Sequence, residues 1–372
     1  MLRSLLSTLL SMLRWGFYGF LVFGVCVYVF LLIFTWHAEQ RETHEAENIV
    51  PPLGRYVKAA DVNIFVQEAG PPDGMDVLLV PAIGGWSGTW PQTMATLAKA
   101  GFHVVAMDLP PFGFSQRPEA ALYGKQDQAD RILGVMDAFA MSRAILVAHS
   151  TGGGPAVEAA SALSRRIDAL VLIDAELDIA FNRKGRAYPS FLVDRFLASR
   201  NVRDGTVATF ISNPLFTRHL IQWLSHKPGA ATQAWADLYK KPLRLKGTTA
   251  AISAWLPEWV ASLKPARSED PETYRKLNIP IHLIWGDYDM MAPVEQAKEL
   301  TRLASNATLK IVYGAGHLPQ VEETEFFNQM LVKSLNAIKH DLAIKAAAEK
   351  AAKAAAAGLK ADPQTDAKEH AK

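Results

Sequence analysis

The sequence predicts an α/β fold, in which a mostly parallel β-sheet is flanked by helices on both faces. Three observations lead to this fold class. Short apolar runs alternate with helical patterns along most of the 372 residues, which is typical of a parallel sheet buried on both sides. One interval, residues 176–275, lacks strand patterns and indicates a helical insertion. A charge-free apolar run near the N-terminus predicts a transmembrane helix.

The alternating elements follow from apolar runs and from helical periodicity. Apolar runs bounded by turn residues predict strands at 62–70, 76–82, 102–108, 143–149, 168–175, 279–286 and 307–314. Helical patterns predict helices at 90–100 and 125–141 and a third helix that ends near residue 163. A further helix begins at residue 294, and a last one, after the strand at 307–314, runs through residue 338.

The predicted membrane span runs from Trp15 to Trp36 and contains no charged residue. A helix needs roughly 20 apolar residues to cross the hydrocarbon core, and aromatic rings near both ends suit the headgroup level. Signal-peptide cores are shorter, about 7–15 residues, so we expect a retained anchor. Residues 1–14 form an amphipathic segment that either lies in the membrane interface or extends the span. More arginine precedes the span than follows it, which favours an α/β domain on the non-cytoplasmic side.

The rest of the chain divides into a linker, an α/β domain and a tail. The Ala/Lys-rich tail favours helix but has no apolar stripe to bury. We therefore expect a solvated, partly helical tail, with attraction of its lysines to anionic lipid as the alternative. The predicted parts are the amphipathic segment 1–14, anchor 15–36, linker 37–53, α/β domain 54–342 with its insertion at about 176–275, and tail 343–372.

Composition excludes several function classes. A net charge of +2 gives no general basis for nucleic-acid binding. The single cysteine, Cys26, permits neither an intrachain disulfide nor a cysteine-based metal site. The sequence contains no HExxH motif, clustered His and carboxylate set or phosphate-binding loop. We therefore expect neither a catalytic metal nor a cofactor.

The stretch ILVAHSTGGG, residues 145–154, places a serine between an apolar strand and three glycines. A strand that turns sharply into a helix strains the residue at the turn and lifts its side chain above the sheet edge. The residues two before and two after that position must be small, and here they are Ala148 and Gly152. Ser150 is therefore the predicted nucleophile, with alanine in place of the first glycine of the usual motif.

A serine hydroxyl needs a base to take its proton and an acid to orient that base. Asp287 and Asp289 follow the strand at 279–286, and His317 follows the strand at 307–314. The order serine, acid, histidine is that of the α/β-hydrolase triad. With the motifs AHSTGG, GDYDMMAP and GAGH, residues 54–340 resemble lid-bearing α/β-hydrolases of the serine esterase and C–C hydrolase type.

The resemblance implies which acid serves the triad. In the family pattern the acid lies three residues after the glycine and four before the proline, which selects Asp289. Asp287 is then a neighbour that stabilises the turn. Asp174, at the end of the strand at 168–175, is the other rival, because some relatives carry their acid after that strand.

The tetrahedral intermediate needs backbone N–H donors directed at its oxyanion. Thr151, directly after the serine, supplies one. The resemblance implies that Ile83, in the loop after the strand at 76–82, supplies the other. This chain has Pro81 and Ala82 where the family usually has His-Gly, which alters the loop.

The insertion is expected to act as a lid over the site. It carries more basic than acidic residues, and eleven aromatic residues lie between residues 176 and 260. Most of these rings should pack the lid onto the domain, and the others should line an apolar pocket above Ser150. A basic, aromatic lid beside a bilayer favours lipid-like substrates. The aromatic residues are Phe181, Tyr188, Phe191, Phe196, Phe210, Phe216, Trp223, Trp235, Tyr239, Trp255 and Trp259.

The leading hypothesis is a membrane-anchored serine hydrolase that cleaves carboxylic esters of apolar or lipid-like substrates. Ser150 attacks, His317 transfers the proton, and Asp289 orients the imidazole and stabilises its charged form. In relatives the same triad performs C–C bond hydrolysis and perhydrolysis, and both stay alternatives. The rival from another class is a catalytically silent, membrane-tethered binding module, which the altered oxyanion loop favours.

Overall fold

A computed structural model describes residues 2–177, 179, 190–261 and 266–358. Its centre is an eight-stranded sheet. The strands are β1 (Gly54–Ala59), β2 (Val62–Ala69), β3 (Met75–Val80), β4 (Phe102–Met107), β5 (Ala144–His149), β6 (Ile167–Ile173), β7 (Ile281–Gly286) and β8 (Ala307–Val312). Their order is β1-β2-β4-β3-β5-β6-β7-β8. β2 is antiparallel to both of its neighbours, and all other neighbouring strands are parallel. The predicted fold class is confirmed.

The loops that follow the parallel strands lie at one edge of the sheet. β4, β5 and β7 are buried along their whole length, because helices cover both faces, and their sequences are continuous apolar runs. Ala148 in β5 is aligned with Val80 in β3 and with Leu172 in β6. The loops after these strands, and after β7 and β8, therefore lie close together.

The edge strand β1 is not predicted from the sequence. Only Val57 and Ala59 of its six residues are buried, so it lacks the continuous apolar run that identifies the central strands. It pairs with β2 from Gly54 opposite Gln67 to Ala59 opposite Val62.

Thirteen α-helices occur in the described residues, and five of them cover the sheet. They are α1 (Leu2–Arg41), α2 (Pro91–Lys99), α3 (Lys125–Ala138), α4 (Gly153–Ala162), α5 (Ser190–Ala198), α6 (Arg200–Thr206), α7 (Thr217–Leu224), α8 (Gln233–Lys240), α9 (Thr248–Ala261), α10 (Pro271–Lys276), α11 (Val294–Leu303), α12 (Pro319–Glu322) and α13 (Thr324–Gly358). One face of the sheet packs against α3, α4 and α11 through residues such as Ile132, Val157 and Leu300. The other face packs against α2 and α13 through Leu97 and Phe327.

The interval between β6 and β7 forms the helices α5–α10, together with a π-helical segment at Val207–Ile211. Its described part contains no strand. Residues 178, 180–189 and 262–265, which include Phe181 and Tyr188, lie outside the described residues. We call residues 176–275 the insertion.

α1 is one continuous helix that joins the predicted amphipathic segment to the predicted anchor. Its part from Leu10 to Arg41 is long and apolar enough to cross a membrane, judged by length and composition alone. Its C-terminal third packs against the insertion, where Leu31 and Ala38 become buried. At the other end of the chain, α13 continues past the predicted end at residue 338 to Gly358, in agreement with the helical propensity of the Ala/Lys tail.

Candidate active site

The nucleophile turn, residues 148–154, joins β5 to α4. Ser150 has a φ of +50°, which a residue with a side chain adopts only at a cost in strain. A side chain on Gly152 would come within 2.6 Å of the carbonyl oxygen of Pro81. The backbone therefore approaches too closely for any larger residue. This geometry explains why small residues surround the serine in the sequence.

Ser150, His317 and Asp289 are linked by hydrogen bonds at the carboxyl edge of the sheet. The Ser150 hydroxyl donates to Nε2 of His317 over 2.7 Å, and Nδ1 of His317 donates to Oδ2 of Asp289 over 2.9 Å. All three residues are buried. A carboxylate only accepts, so it fixes the imidazole proton on Nδ1 and leaves Nε2 free to accept the serine proton. His317 lies in what we call the histidine loop, residues 313–322.

Asp289 and Asp287 have different partners although they are two residues apart. The second oxygen of Asp289, Oδ1, accepts the backbone N–H groups of Met291 and Ala292 over 2.8 and 3.0 Å. These bonds hold the carboxylate in place for its bond to the imidazole. Asp287 instead accepts the N–H of Gly314 over 2.7 Å and ties the loop after β7 to the start of the histidine loop.

Asp174 is a second buried acid close to Asp289. It follows β6 with a φ of +42°, and its Oδ1 accepts the N–H of Gly286 over 2.8 Å. Burial, reinforced by the charge of Asp289, raises the pKa of Asp174 well above its usual range. Of the two acids, the geometry brings Asp289 to the imidazole.

His149 supports the histidine loop from beneath. Its Nε2 donates to the carbonyl oxygen of His317 over 2.8 Å, and its Nδ1 accepts the side-chain amide of Gln320 over 3.3 Å. Burial, reinforced by the nearby His317, lowers the pKa of His149 to about 3. His149 therefore stays neutral at physiological pH and acts as a fixed hydrogen-bond donor.

Glu322 ties the histidine loop to the insertion. Its Oε1 accepts the N–H groups of Gly316 and Leu318 over 2.9 and 3.3 Å. Its Oε2 accepts the N–H groups of His226 and Lys227 over 2.6 and 2.8 Å. One buried carboxylate therefore holds backbone on both sides of His317 and backbone of the insertion.

The same two segments also meet directly. The N–H of His317 donates to the carbonyl oxygen of Leu224 over 2.9 Å. A side chain on Gly316 would come within 2.6 Å of the backbone nitrogen of His226. The position of the imidazole therefore depends on residues 224–227 of the insertion.

The predicted oxyanion donors are close together, but one is already engaged. The N–H of Ile83 donates to the hydroxyl oxygen of Thr151 over 2.9 Å. From the sequence alone, both backbone N–H groups are expected to be free donors. In the structure, an oxyanion would have to displace the Thr151 hydroxyl to reach the N–H of Ile83.

Asp108 holds the loops on either side of the predicted oxyanion site. Its two oxygens accept the N–H groups of Ser87 and Phe114 over 2.5 and 2.7 Å. Complete burial raises the pKa of Asp108 to about 6, although these bonds favour the ionised form. The carboxyl joins the loop after β3 to the loop after β4.

A cavity of about 290 Å³ opens beside Thr151. The rings of Trp255 and Trp259, stacked with centroids 5.6 Å apart, form part of its wall. Charged groups also line it, including Lys125, which pairs with Glu269 over 2.6 Å. The sequence predicts an apolar pocket above Ser150. The observed cavity is mixed, because the first turn of α3 contributes charged side chains opposite the aromatic rings.

The described residues contain no group of three or more His, Cys, Asp or Glu side chains arranged to hold a metal ion. A serine hydroxyl next to a neutral imidazole that is oriented by a carboxylate can lose its proton as it attacks an electrophilic carbon.

Two supporting contacts are missed by the sequence analysis. Glu322 lies five residues after the histidine, and nothing local shows that it reaches the insertion. The bond from the His149 side chain to the His317 carbonyl joins segments 168 residues apart. Long-range backbone contacts of this kind leave no local pattern.

Comparison with known proteins shows which proteins this chain is similar to. The sequence profile described as the alpha/beta hydrolase fold matches residues 77–324. The 2-hydroxymuconate semialdehyde hydrolase of Pseudomonas sp. (strain CF600) is 26% identical over 292 residues, which is 76% of this chain and 93% of that enzyme.

Solved structures show the same fold. A mutant of a meta-cleavage product hydrolase superposes with a TM-score of 0.62 at 26% identity, over 77% of this chain and 98% of the other. A membrane phospholipase A, described as a bacterial virulence factor, superposes with a TM-score of 0.61 at 22% identity, over 91% of this chain and 99% of the other. At 22% identity, the second comparison shows a shared fold alone.

Proposed function

The chain belongs to the α/β-hydrolase fold family and is a hydrolase, and from this premise we propose that it is a membrane-anchored serine esterase. Its substrates are carboxylic esters of apolar or lipid-like compounds. The observation that carries this proposal is the 2.7 Å hydrogen bond from the Ser150 hydroxyl to Nε2 of His317, with the opposite imidazole nitrogen held by Asp289.

The proposed reaction proceeds through an acyl-enzyme. Ser150 Oγ attacks the ester carbonyl carbon while its proton passes to Nε2 of His317, and Asp289 stabilises the resulting imidazolium. The tetrahedral intermediate collapses, the C–O bond to the alcohol breaks, and His317 protonates the departing oxygen. Water, deprotonated by His317, then attacks the acyl carbon and releases the acid and free Ser150.

The proposed oxyanion hole uses the backbone N–H groups of Thr151 and Ile83. Because the N–H of Ile83 donates to the Thr151 hydroxyl, the substrate oxyanion takes the place of that hydroxyl as the intermediate forms. The Thr151 side chain then rotates away. Such donors are most effective when they are already in place before charge develops.

Two observations support a lipid-like substrate. The apolar helix α1 gives the chain a candidate membrane span, so the insertion that packs against it, acting as a lid, would lie beside lipid. The stacked Trp255 and Trp259 give the cavity an aromatic wall for an acyl or aromatic group.

A C–C bond hydrolase is the second candidate function. It is favoured by the 26% identity to the 2-hydroxymuconate semialdehyde hydrolase and to the meta-cleavage product hydrolase. The same serine, histidine and acid would serve such a reaction.

The two functions are separated by direct assay of the full chain in detergent micelles. We expect p-nitrophenyl esters with long acyl chains to be hydrolysed with a higher kcat/KM than the butyrate ester, and Ser150→Ala to abolish both activities. Turnover of a meta-cleavage product without turnover of any ester would contradict the esterase proposal. Equal kcat/KM for esters with short and long acyl chains would contradict the proposal of a lipid-like substrate.

A further inference from the structure

The exposed side and the covered side of the helix α1 indicate how deeply it lies in a bilayer. On the side away from the insertion, Phe30, Ile33 and Trp36 are exposed, at 46%, 47% and 56%. Large apolar side chains in these positions need lipid around them up to the level of Trp36. The 22 residues from Trp15 to Trp36 rise by about 32 Å, which matches a hydrocarbon core of about 30 Å.

On its other side, α1 is covered by the insertion well below that level. The amide of Asn201 donates to the hydroxyl of Tyr28 over 3.1 Å. A side chain on Gly205 would come within 2.5 Å of Cβ of Leu31, so α6 packs directly on this part of the helix. Tyr28 lies eight residues before Trp36 in the sequence, which corresponds to about 12 Å along the helix axis.

Taken together, the two sides lead to one conclusion. Resting on the membrane-anchored function proposed above, we infer that the corner between α5 and α6, residues 195–204, is immersed in the bilayer leaflet beside α1. The partner of this surface is the acyl-chain layer of the membrane, with the headgroup layer above it.

Several polar groups at and beside the corner are hydrogen-bonded, whereas the buried Oδ1 of Asp204 has no partner among the described residues. The amide of Asn201 is bonded to Tyr28, and the guanidinium of Arg203 donates to the carbonyl oxygens of Leu197 and Ser253. The Thr206 hydroxyl donates to a carbonyl of its own helix over 2.8 Å. Backbone and side-chain polar groups at membrane depth are stable only when they are paired in this way.

Arg200 carries an exposed charge at the corner, with 74% of its side chain accessible, and lies toward the headgroup level. It pairs with Asp204 over 3.3 Å and lines a groove together with Thr35 and Glu39. Those two residues lie near the end of the span. An arginine that starts at membrane depth and extends its guanidinium to the interface is snorkelling.

An apolar path joins the corner to the active-site cavity. Phe196 packs against a cluster that includes Val207, Phe112 and Trp255, and Ile83 packs against the same cluster. Phe112 and Trp255 also line the cavity beside Thr151. An immersed corner would let a lipid acyl chain pass from the leaflet to the catalytic serine along apolar side chains.

The inference is tested by measuring the depth of nitroxide labels on the full chain in phosphatidylcholine nanodiscs. The native Cys26, near the middle of the span, reports whether α1 is embedded. In a Cys26→Ser background, Ala198→Cys reports the corner. Leu163→Cys, 44% exposed at the end of α4, is the control on the opposite edge of the sheet. Collision rates with oxygen and with a water-soluble nickel chelate give the depth of each label.

We expect labels at 26 and 198 to collide with oxygen in preference to the nickel chelate, and the label at 163 to show the reverse. A lipid-embedded label at 26 with an aqueous or headgroup-level label at 198 would overturn the inference and leave the anchor intact. Aqueous labels at both positions would overturn the inference and the proposed membrane anchoring.

If labelling perturbs the corner, an activity measurement tests the inference independently. Ala198→Glu adds a charge to the immersed surface. We expect a loss of tenfold or more in kcat/KM for a phospholipid in the nanodisc, and a change of less than twofold for soluble p-nitrophenyl butyrate. Equal effects on both substrates would count against the corner as a membrane surface.

Discussion

The nucleophile turn and the histidine loop occupy the same edge of the sheet, yet they are held in place by different means. The turn is shaped by its own small residues: Gly152 lies so close to the carbonyl oxygen of Pro81 that only glycine fits. The histidine loop is held by two groups outside it, Leu224 and Asp289, and by its own Glu322, which also bonds to the insertion. The nucleophile is therefore fixed by local sequence, whereas the base depends on the loop after β7 and on the insertion.

The largest effect should come from the acid that orients the base. We expect Asp289→Asn to lower kcat about 10⁴-fold, because an amide in place of the carboxylate favours the wrong imidazole tautomer. Asp174→Asn should lower kcat less than tenfold, since Asp289 and not Asp174 is bonded to the imidazole. Steady-state kinetics on one p-nitrophenyl ester measure both. A larger loss in Asp174→Asn than in Asp289→Asn would assign the acid to β6.

The next effect concerns the carboxylate that joins the histidine loop to the insertion. Glu322→Gln replaces one acceptor oxygen with a donor, so two backbone N–H groups lose their partner and the imidazole shifts. We expect kcat to fall by about 10- to 100-fold, with a smaller change in KM.

The matched control for this variant is Glu323→Gln. Glu323 pairs with the side chain of Lys227 over 2.8 Å at the surface, and such pairs contribute at most about 1 kcal/mol. Its kcat should stay within twofold of the wild-type value. If Glu322→Gln behaved like this control, the position of the base would not depend on the insertion.

His149 joins the two regions, and its contribution should depend on pH. Its pKa lies near 3 in the folded protein and near 6.5 when unfolded. A histidine with a lowered folded pKa stabilises the fold above pH 6.5, and this contribution is lost as the pH falls from 6.5 toward 3. Between pH 7 and 5 the loss in the free energy of unfolding should be about 2 kcal/mol.

His149→Gln provides the comparison, because its amide can still donate to the His317 carbonyl but does not titrate. Urea unfolding of both proteins at pH 7 and pH 5, followed by tryptophan fluorescence, gives the two free energies. The wild-type protein should lose about 2 kcal/mol more than the variant. Parallel pH dependence in the two proteins would show that His149 is not held neutral.

The smallest effects should occur within the nucleophile turn and should differ between two glycines. Gly152→Ala would place Cβ against the backbone of Pro81, so we expect kcat/KM to fall at least tenfold. At Gly154 a Cβ would meet only the flexible end of Lys125, at 3.0 Å. Gly154→Ala should keep kcat/KM within twofold, because alanine is favoured over glycine in a helix. Similar losses in both variants would mean that the close approach at Gly152 is not what shapes the turn.

The comparison also explains how much the sequence could predict. The central strands, the helices that cover them and Ser150 follow from local patterns, because apolar runs and small residues act on their own neighbours. Asp289 and His317 follow from motif spacing. The edge strand β1 is half-exposed and gives no comparable signal.

The remaining features depend on contacts between distant segments. The bond of Glu322 to the backbone at 226 and 227 and the engagement of the Ile83 N–H by Thr151 arise only after the chain has folded. The mixed character of the cavity has the same origin, since Lys125 and Trp255 lie 130 residues apart in the sequence. No local pattern brings such residues together before the fold is known.

The central claim is that Ser150 is a nucleophile activated by His317. The most direct measurement is to treat the full chain with a fluorophosphonate probe and locate the adduct by peptide mass spectrometry. The account predicts a single adduct on Ser150, absent in Ser150→Ala and formed far more slowly in His317→Ala. A wild-type protein that stays unlabelled while its circular dichroism shows it to be folded, or an adduct on a different residue, would contradict it.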